Sequence, residues 1–117
     1  MHEMSYAIRL VNMALDAAKQ NNLENVDAVT VEVGQMTGVL PHLLSEAYQS
    51  ASKSTILEGS KLDIIKANVT ALCNDCSSTY EPNADNDYRC PTCKSLNSKI
   101  IKGRDVSLIS IIDYENI

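Results

Sequence analysis

The sequence predicts an α+β fold, two helices on a small β-sheet with a compact four-cysteine module inserted before the last strand. Three observations carry that expectation. Apolar residues recur at helical spacing in two stretches, β-branched residues cluster in short runs beside them, and four cysteines stand in two tight pairs near residues 73–93.

From Met4 to Gln20 the apolar residues Met4, Ile8, Val11, Leu15 and Ala18 follow the 4, 3, 4, 3 spacing of one helix face. Asn21 and Asn22, which favour turns and the left-handed cap, end that helix. Val29, Val31 and Val33 then alternate with Thr30 and Glu32 as a strand with one buried face should. Gly34 and Gly38 punctuate its exit, and Val33 to Gly38 reads as a turn, since it lacks the Gly-Lys-Ser/Thr ending of a phosphate loop. Pro41 opens a second helix, where its missing N–H costs nothing. Leu40, Leu44, Ala47 and Ala51 give that helix an apolar stripe, and Glu58-Gly59 is expected to end it. A second strand follows in Lys61 to Ala67. After the cysteines, Asp105 to Tyr114 holds Val106, Ile109, Ile111 and Ile112, which suggests a strand returning to the first sheet.

Cys73-x-x-Cys76 and Cys90-x-x-Cys93 flank a thirteen-residue loop, Ser77 to Arg89, the spacing of a zinc ribbon or of two knuckles closing on one tetrahedral ion. Redox use is the competing reading, but both pairs lie in a stretch rich in Asn, Asp, Ser and Pro rather than where a strand runs into a helix. Disulfides of a secreted scaffold are disfavoured because no charged and apolar leader opens the sequence. Residues 70–104 are therefore expected to form a zinc-binding module, and residues 1–69 with 105–117 the α+β domain.

At 117 residues the chain has no room for two ordinary hydrophobic cores, so zinc would replace part of one. Apolar content of 44% excludes general disorder, and no apolar run approaches the roughly 20 residues of a membrane span. A soluble cytoplasmic protein is expected. The net charge of −5 is divided unevenly: residues 70–104 carry five Lys/Arg against four Asp/Glu, the remainder five against eleven. Neither part offers the basic face that phosphate neutralisation needs, which argues against nucleic acid as a partner.

Met1-His2-Glu3 precedes the first helix. A bulky second residue normally leaves the initiator methionine in place, so an amine is expected one residue from an imidazole. Amine, imidazole and the amide nitrogens of His2 and Glu3 could surround a metal ion in a plane, a set that suits Ni²⁺ or Cu²⁺ and suits Zn²⁺ poorly. The first amides of a helix have no intrahelical acceptor, so a metal could take them without breaking the ladder. The plainer reading is a solvated histidine near a chain start. Glu3 could add a carboxylate ligand or simply answer the helix macrodipole. His42, beside Pro41, reads as an exposed polar residue. Met4, Met13 and Met36 are too scattered for a thioether site.

Taken together, Met1-His2-Glu3, Val33-Gly34-x-x-x-Gly38-Val39, Glu58-Gly59, the two Cys-x-x-Cys pairs and Gly103-Arg104-Asp105 resemble the HypA family, whose members mature nickel enzymes. The resemblance spans nearly the whole chain in order. It implies that His2 is the nickel ligand, aided by backbone nitrogens of Met1 to Glu3, with Glu3 as a further candidate, and that Cys73, Cys76, Cys90 and Cys93 bind zinc. It further implies a metallochaperone, not an enzyme, that hands Ni²⁺ to the large subunit of a nickel-iron hydrogenase with a maturation GTPase of the HypB type. A monomer or weak homodimer is expected. The chain departs from the family pattern in having no Phe, so Tyr48 and aliphatic residues fill the second helix. Ser78 and Ser95 stand where relatives that also serve urease carry histidines, which favours hydrogenase as the client. The alternative from another class is a zinc-ribbon adaptor holding proteins or nucleic acid together.

Overall fold

The computed structural model describes residues 3–116; Met1 and His2 lie outside the described residues. Helix α1 (Glu3–Gln20) leads into strand β1 (Ala28–Gly34), helix α2 (Pro41–Ala51) and strand β2 (Lys61–Ala67). Strands β3 (Thr70–Cys73), β4 (Thr79–Tyr80) and β5 (Ser98–Lys102) follow, and β6 (Val106–Ile112) closes the order. Two three-stranded sheets result, β2-β1-β6 and β4-β3-β5. The molecule is elongated, 51 × 29 × 17 Å.

The first sheet is mixed. β1 runs parallel to β2 and antiparallel to β6, so the last strand does return to the first sheet. Val29, Val31 and Val33 are buried as their alternation predicted and stand beside Leu62, Ile64 and Lys66 on one side and Ile111, Leu108 and Val106 on the other. Between Thr30 and Val31 the register slips, leaving Ile109 unpaired and half-exposed.

Helix α1 is present, but its buried face is turned from the expected one. Ala7, Leu10, Val11, Ala14 and Ala18 face the core, whereas Met4 and Ile8 are 45% and 49% exposed. Small alanines let the helix lie close to α2 and the sheet, and that fit outweighs the larger side chains. Its end matches expectation: Asn22 adopts left-handed backbone, φ 56°, and the Leu23 N–H reaches back to the Ala18 carbonyl at 2.9 Å.

Helix α2 is shorter than expected. It stops at Ala51, and the chain turns through residues 52–59 rather than continuing to Glu58-Gly59. Thr55 drives that change: its hydroxyl donates to the Ser52 carbonyl at 2.6 Å and accepts from the Leu57 N–H at 3.1 Å, and Leu57 is thereby buried. Leu40 is the half-exposed N-cap residue, and Tyr48 takes its expected place in the core instead. The Tyr48 hydroxyl meets Ser60 Oγ at 2.6 Å; burial pushes its pKa up and the Ser60 bond opposes that.

The second sheet was not foreseen. Its strands are short and polar, and its core is Ala71, Cys73, Tyr80 and Cys90. It joins the first sheet where three chain segments cross. A Cβ on Gly34 would come within 2.4 Å of the Gly103 carbonyl group, and one on Gly103 within 2.6 Å of the Asn68 carbonyl oxygen. Gly34 has ordinary extended backbone, φ −71° and ψ 141°, so its lack of a side chain answers the close approach and not its conformation. Hydrogen bonds from Gly34 N–H to Asp105 O and from Met36 N–H to Gly103 O, both 2.9 Å, hold the crossing. Asp105 also pairs with Arg9 of α1, and that guanidinium holds its carboxyl below the usual range. Gly34→Ala should therefore cost about 1–3 kcal/mol or more, read as a lowered thermal midpoint. An unchanged midpoint would contradict so close a crossing.

Candidate metal centre

The four cysteines are brought to one place by two similar turns. Cys73 ends β3 and Cys76 follows in the next turn; Cys90 and Cys93 lie in the turn before β5. The β3–β5 ladder, with Cys73 opposite Ser98, brings the turns together. All four Sγ atoms lie within 4.8 Å of one another. The short contacts run between the pairs, Cys73 to Cys93 at 3.5 Å and Cys76 to Cys90 at 3.6 Å.

These distances decide the chemistry. A disulfide needs sulfurs about 2.05 Å apart, and all four thiols are free. A tetrahedron of sulfurs with Zn–S bonds of about 2.3 Å has edges of about 3.8 Å. Four thiol donors, no carboxylate or imidazole among them, fit a closed tetrahedral zinc site, and no ligand position remains open for catalysis. Cys73 and Cys90 are buried and Cys93 is exposed.

Donors around the cluster prepare it for an ion. Ser78 places its hydroxyl and its N–H on the Cys76 sulfur and holds that thiol down to about 6. At Cys93 the Ser95 N–H acts in the same direction, but Cys73, burial, Cys76 and Cys90 outweigh it and push the thiol up to about 12. The protons of the metal-free cluster therefore leave over a wide span, as expected of neighbours that cannot all ionise together.

The other proposed ligands are placed differently. Met1 and His2 lie outside the described residues. Glu3 opens α1 and is largely buried, with Oε2 accepting the Leu40 N–H at the start of α2 at 3.4 Å. Its carboxylate thus ties the two helix starts together, a role that sequence reasoning missed because the partner is a backbone amide 37 residues away. His42 is exposed on α2, and no metal-ligand group other than the cysteine tetrad is found among the described residues.

Zinc must displace thiol protons to bind, so acidification weakens it. Competition dialysis against a chelator should show the apparent zinc affinity falling as pH drops, most steeply below about 6, where even Cys76 of the metal-free cluster holds its proton. An apparent affinity unchanged from pH 8 to pH 5 would contradict a four-thiolate site.

Comparison with known proteins agrees with this arrangement. The HypA family, described as hydrogenase/urease nickel incorporation, metallochaperone, matches residues 1–112. The hydrogenase maturation factor HypA of Aquifex aeolicus is 36% identical over 111 residues, 95% of this chain and 96% of the relative. That of Methanocella arvoryzae is 37% identical over 108 residues, 92% and 94% of the two chains. The solution structure of the Ni metallochaperone HypA from Helicobacter pylori superimposes with a TM-score of 0.77 at 29% identity, covering 95% of this chain and 96% of that one. No helix among the described residues is long and apolar enough to cross a membrane. A whole-chain family match, together with a tetrathiol cage carried between the strands of an α+β unit, establishes that the chain belongs to the HypA family of nickel metallochaperones for hydrogenase/urease maturation.

Proposed function

We propose that the protein binds Ni²⁺ at its N-terminus and delivers it to the large subunit of nickel-iron hydrogenase, without catalysing a reaction of its own. The observation that carries this reading is that the family match includes Met1, His2 and Glu3 along with the cysteine module. The proposed nickel donors are the Met1 amine, the His2 imidazole and the amide nitrogens of His2 and Glu3. Such donors favour a square-planar d⁸ or d⁹ ion. Because the Glu3 amide stands at the start of α1, its use breaks no helical hydrogen bond. The Glu3 carboxylate, engaged by Leu40, would then position the site rather than bind the ion.

Cys73, Cys76, Cys90 and Cys93 would hold zinc, which supplies structural stability to a module with almost no core of its own. We assign residues 1–69 with 105–117 to nickel handling and residues 70–104 to the zinc module. Ser78 and Ser95, in place of imidazole donors beside the cysteine pairs, support hydrogenase over urease as the client. A maturation GTPase of the HypB type would act with it, in the cytoplasm.

Calorimetric titration of untagged protein with Ni²⁺ should show one equivalent taken up beyond the zinc. His2→Ala and a two-residue N-terminal extension should each weaken that uptake at least tenfold, about 1.4 kcal/mol, and leave zinc content unchanged. Nickel that enters only by displacing zinc would defeat the proposal.

A further inference from the structure

The two cysteine turns are near copies. In each, the first cysteine's N–H donates to the carbonyl five residues on, Cys73 to Ser78 at 2.9 Å and Cys90 to Ser95 at 3.0 Å. In each, the residue after the second cysteine donates back to the first, Ser77 to Cys73 at 3.0 Å and Lys94 to Cys90 at 2.7 Å. Ser77 and Lys94 share left-handed backbone, φ 64° and 61°. Ser78 and Ser95 are therefore equivalent residues, yet their hydroxyls do different things. That of Ser78 acts within its own turn, where it lowers the Cys76 thiol's pKa. That of Ser95 leaves its turn and donates to Asp75 Oδ2, between the cysteines of the other pair, at 2.5 Å.

Further bonds reinforce this bridge. Asp75 Oδ1 accepts from the Asn97 side chain at 3.3 Å, and Ser95 Oγ accepts the Asn97 N–H at 2.9 Å. Asn74 donates to Asn97 through its side chain at 3.1 Å and its N–H at 2.8 Å. One turn is thus fastened to the segment that follows the other. The fastened segment follows Cys93, the exposed cysteine of the four.

We propose that Asp75 and Ser95 form a latch that keeps the second cysteine turn seated on the first and sets the rate at which zinc leaves. The inference rests on the zinc reading of the tetrad. A thiolate that lets go of the ion while its turn is still latched remains within reach, and rebinding outpaces escape. Once the latch opens, the second turn can swing away on the Ser77–Arg89 loop. Ser95 and Asp75 are positioning residues, acting on the ion through the turns that carry its ligands.

The test is zinc release from the full-length protein to excess chelator, followed with a metallochromic dye. Asp75→Ala and Ser95→Ala should each speed release about tenfold. The double variant should fall well short of the product of the two effects, because the Asp75–Ser95 bond is lost in both and only the separate bonds to Asn97 differ. Ser95→Thr, which keeps the hydroxyl, should restore slow release. Cobalt-substituted samples should keep the thiolate charge-transfer bands of a four-sulfur tetrahedral site in every variant. Release at the parental rate, or effects that multiply in the double variant, would overturn the latch while leaving the zinc assignment intact. A parent protein without one zinc per chain would overturn both.

Discussion

The convergence of four sulfurs on one point is the constraint on which the rest of the second sheet depends. Only Ala71, Cys73, Tyr80 and Cys90 are buried there, so two of the four core residues belong to the cysteine tetrad that could hold a metal ion. Burial of so little apolar surface does not offset the conformational entropy of ordering some thirty residues. Binding of a structural zinc ion, with an apparent free energy of about 10–16 kcal/mol in small zinc peptides, is of the right size to close that gap. The surrounding hydrogen bonds have a matching purpose: Ser78 and Ser95 N–H groups point at sulfur and offset the charge that four thiolates leave in excess of the ion's.

The first sheet needs no such help, and its contact with the second is made by backbone. Gly34, Gly103 and the Asn68-Val69 segment pass one another with no room for a side chain. Arg9 on α1 grips Asp105 immediately after the crossing, and its guanidinium also lies 5.2 Å from the centre of the Tyr6 ring. An exposed ion pair of this kind contributes little stability by itself. Its value lies in direction, since it fixes the segment leaving the cysteine module against α1, the helix that opens at Glu3.

Local patterns were legible in the sequence and distant ones were not. The valine alternation of β1, the asparagine stop of α1 and the cysteine spacing each depend on neighbours in the chain, and each is found as read. The face of α1 was misjudged because hydropathy ranks Met4 and Ile8 above Ala7 and Ala14, whereas close helix packing selects the small residues. The early end of α2 turns on a single threonine hydroxyl, Thr55, in a stretch that still looks helical by composition. Nothing in the sequence joined Asp75 to Ser95. Both are ordinary polar residues, twenty positions apart, and only the folded turns bring them together.

The two metal sites proposed for this chain make opposite demands, and the donor chemistry allows both to be met in one small protein. Divalent nickel generally binds a given ligand set no more weakly than zinc, or nearly so, and affinity alone would not keep cargo out of the cage. Geometry does so more effectively. The cage sulfurs are carried by two turns anchored on a β-ladder, all within 4.8 Å of one another, and each turn is closed by its own backbone hydrogen bonds, which resist a rearrangement of the set. Zinc, a d¹⁰ ion with no preferred geometry, accepts the tetrahedron at no electronic cost. The nitrogen set proposed for nickel asks for the converse, a plane rather than a tetrahedron. Retention of zinc would therefore follow from cross-linked turns, and transfer of nickel from a donor set that shares no ligand with them, so the separation of the two proposed sites lets one chain meet both demands.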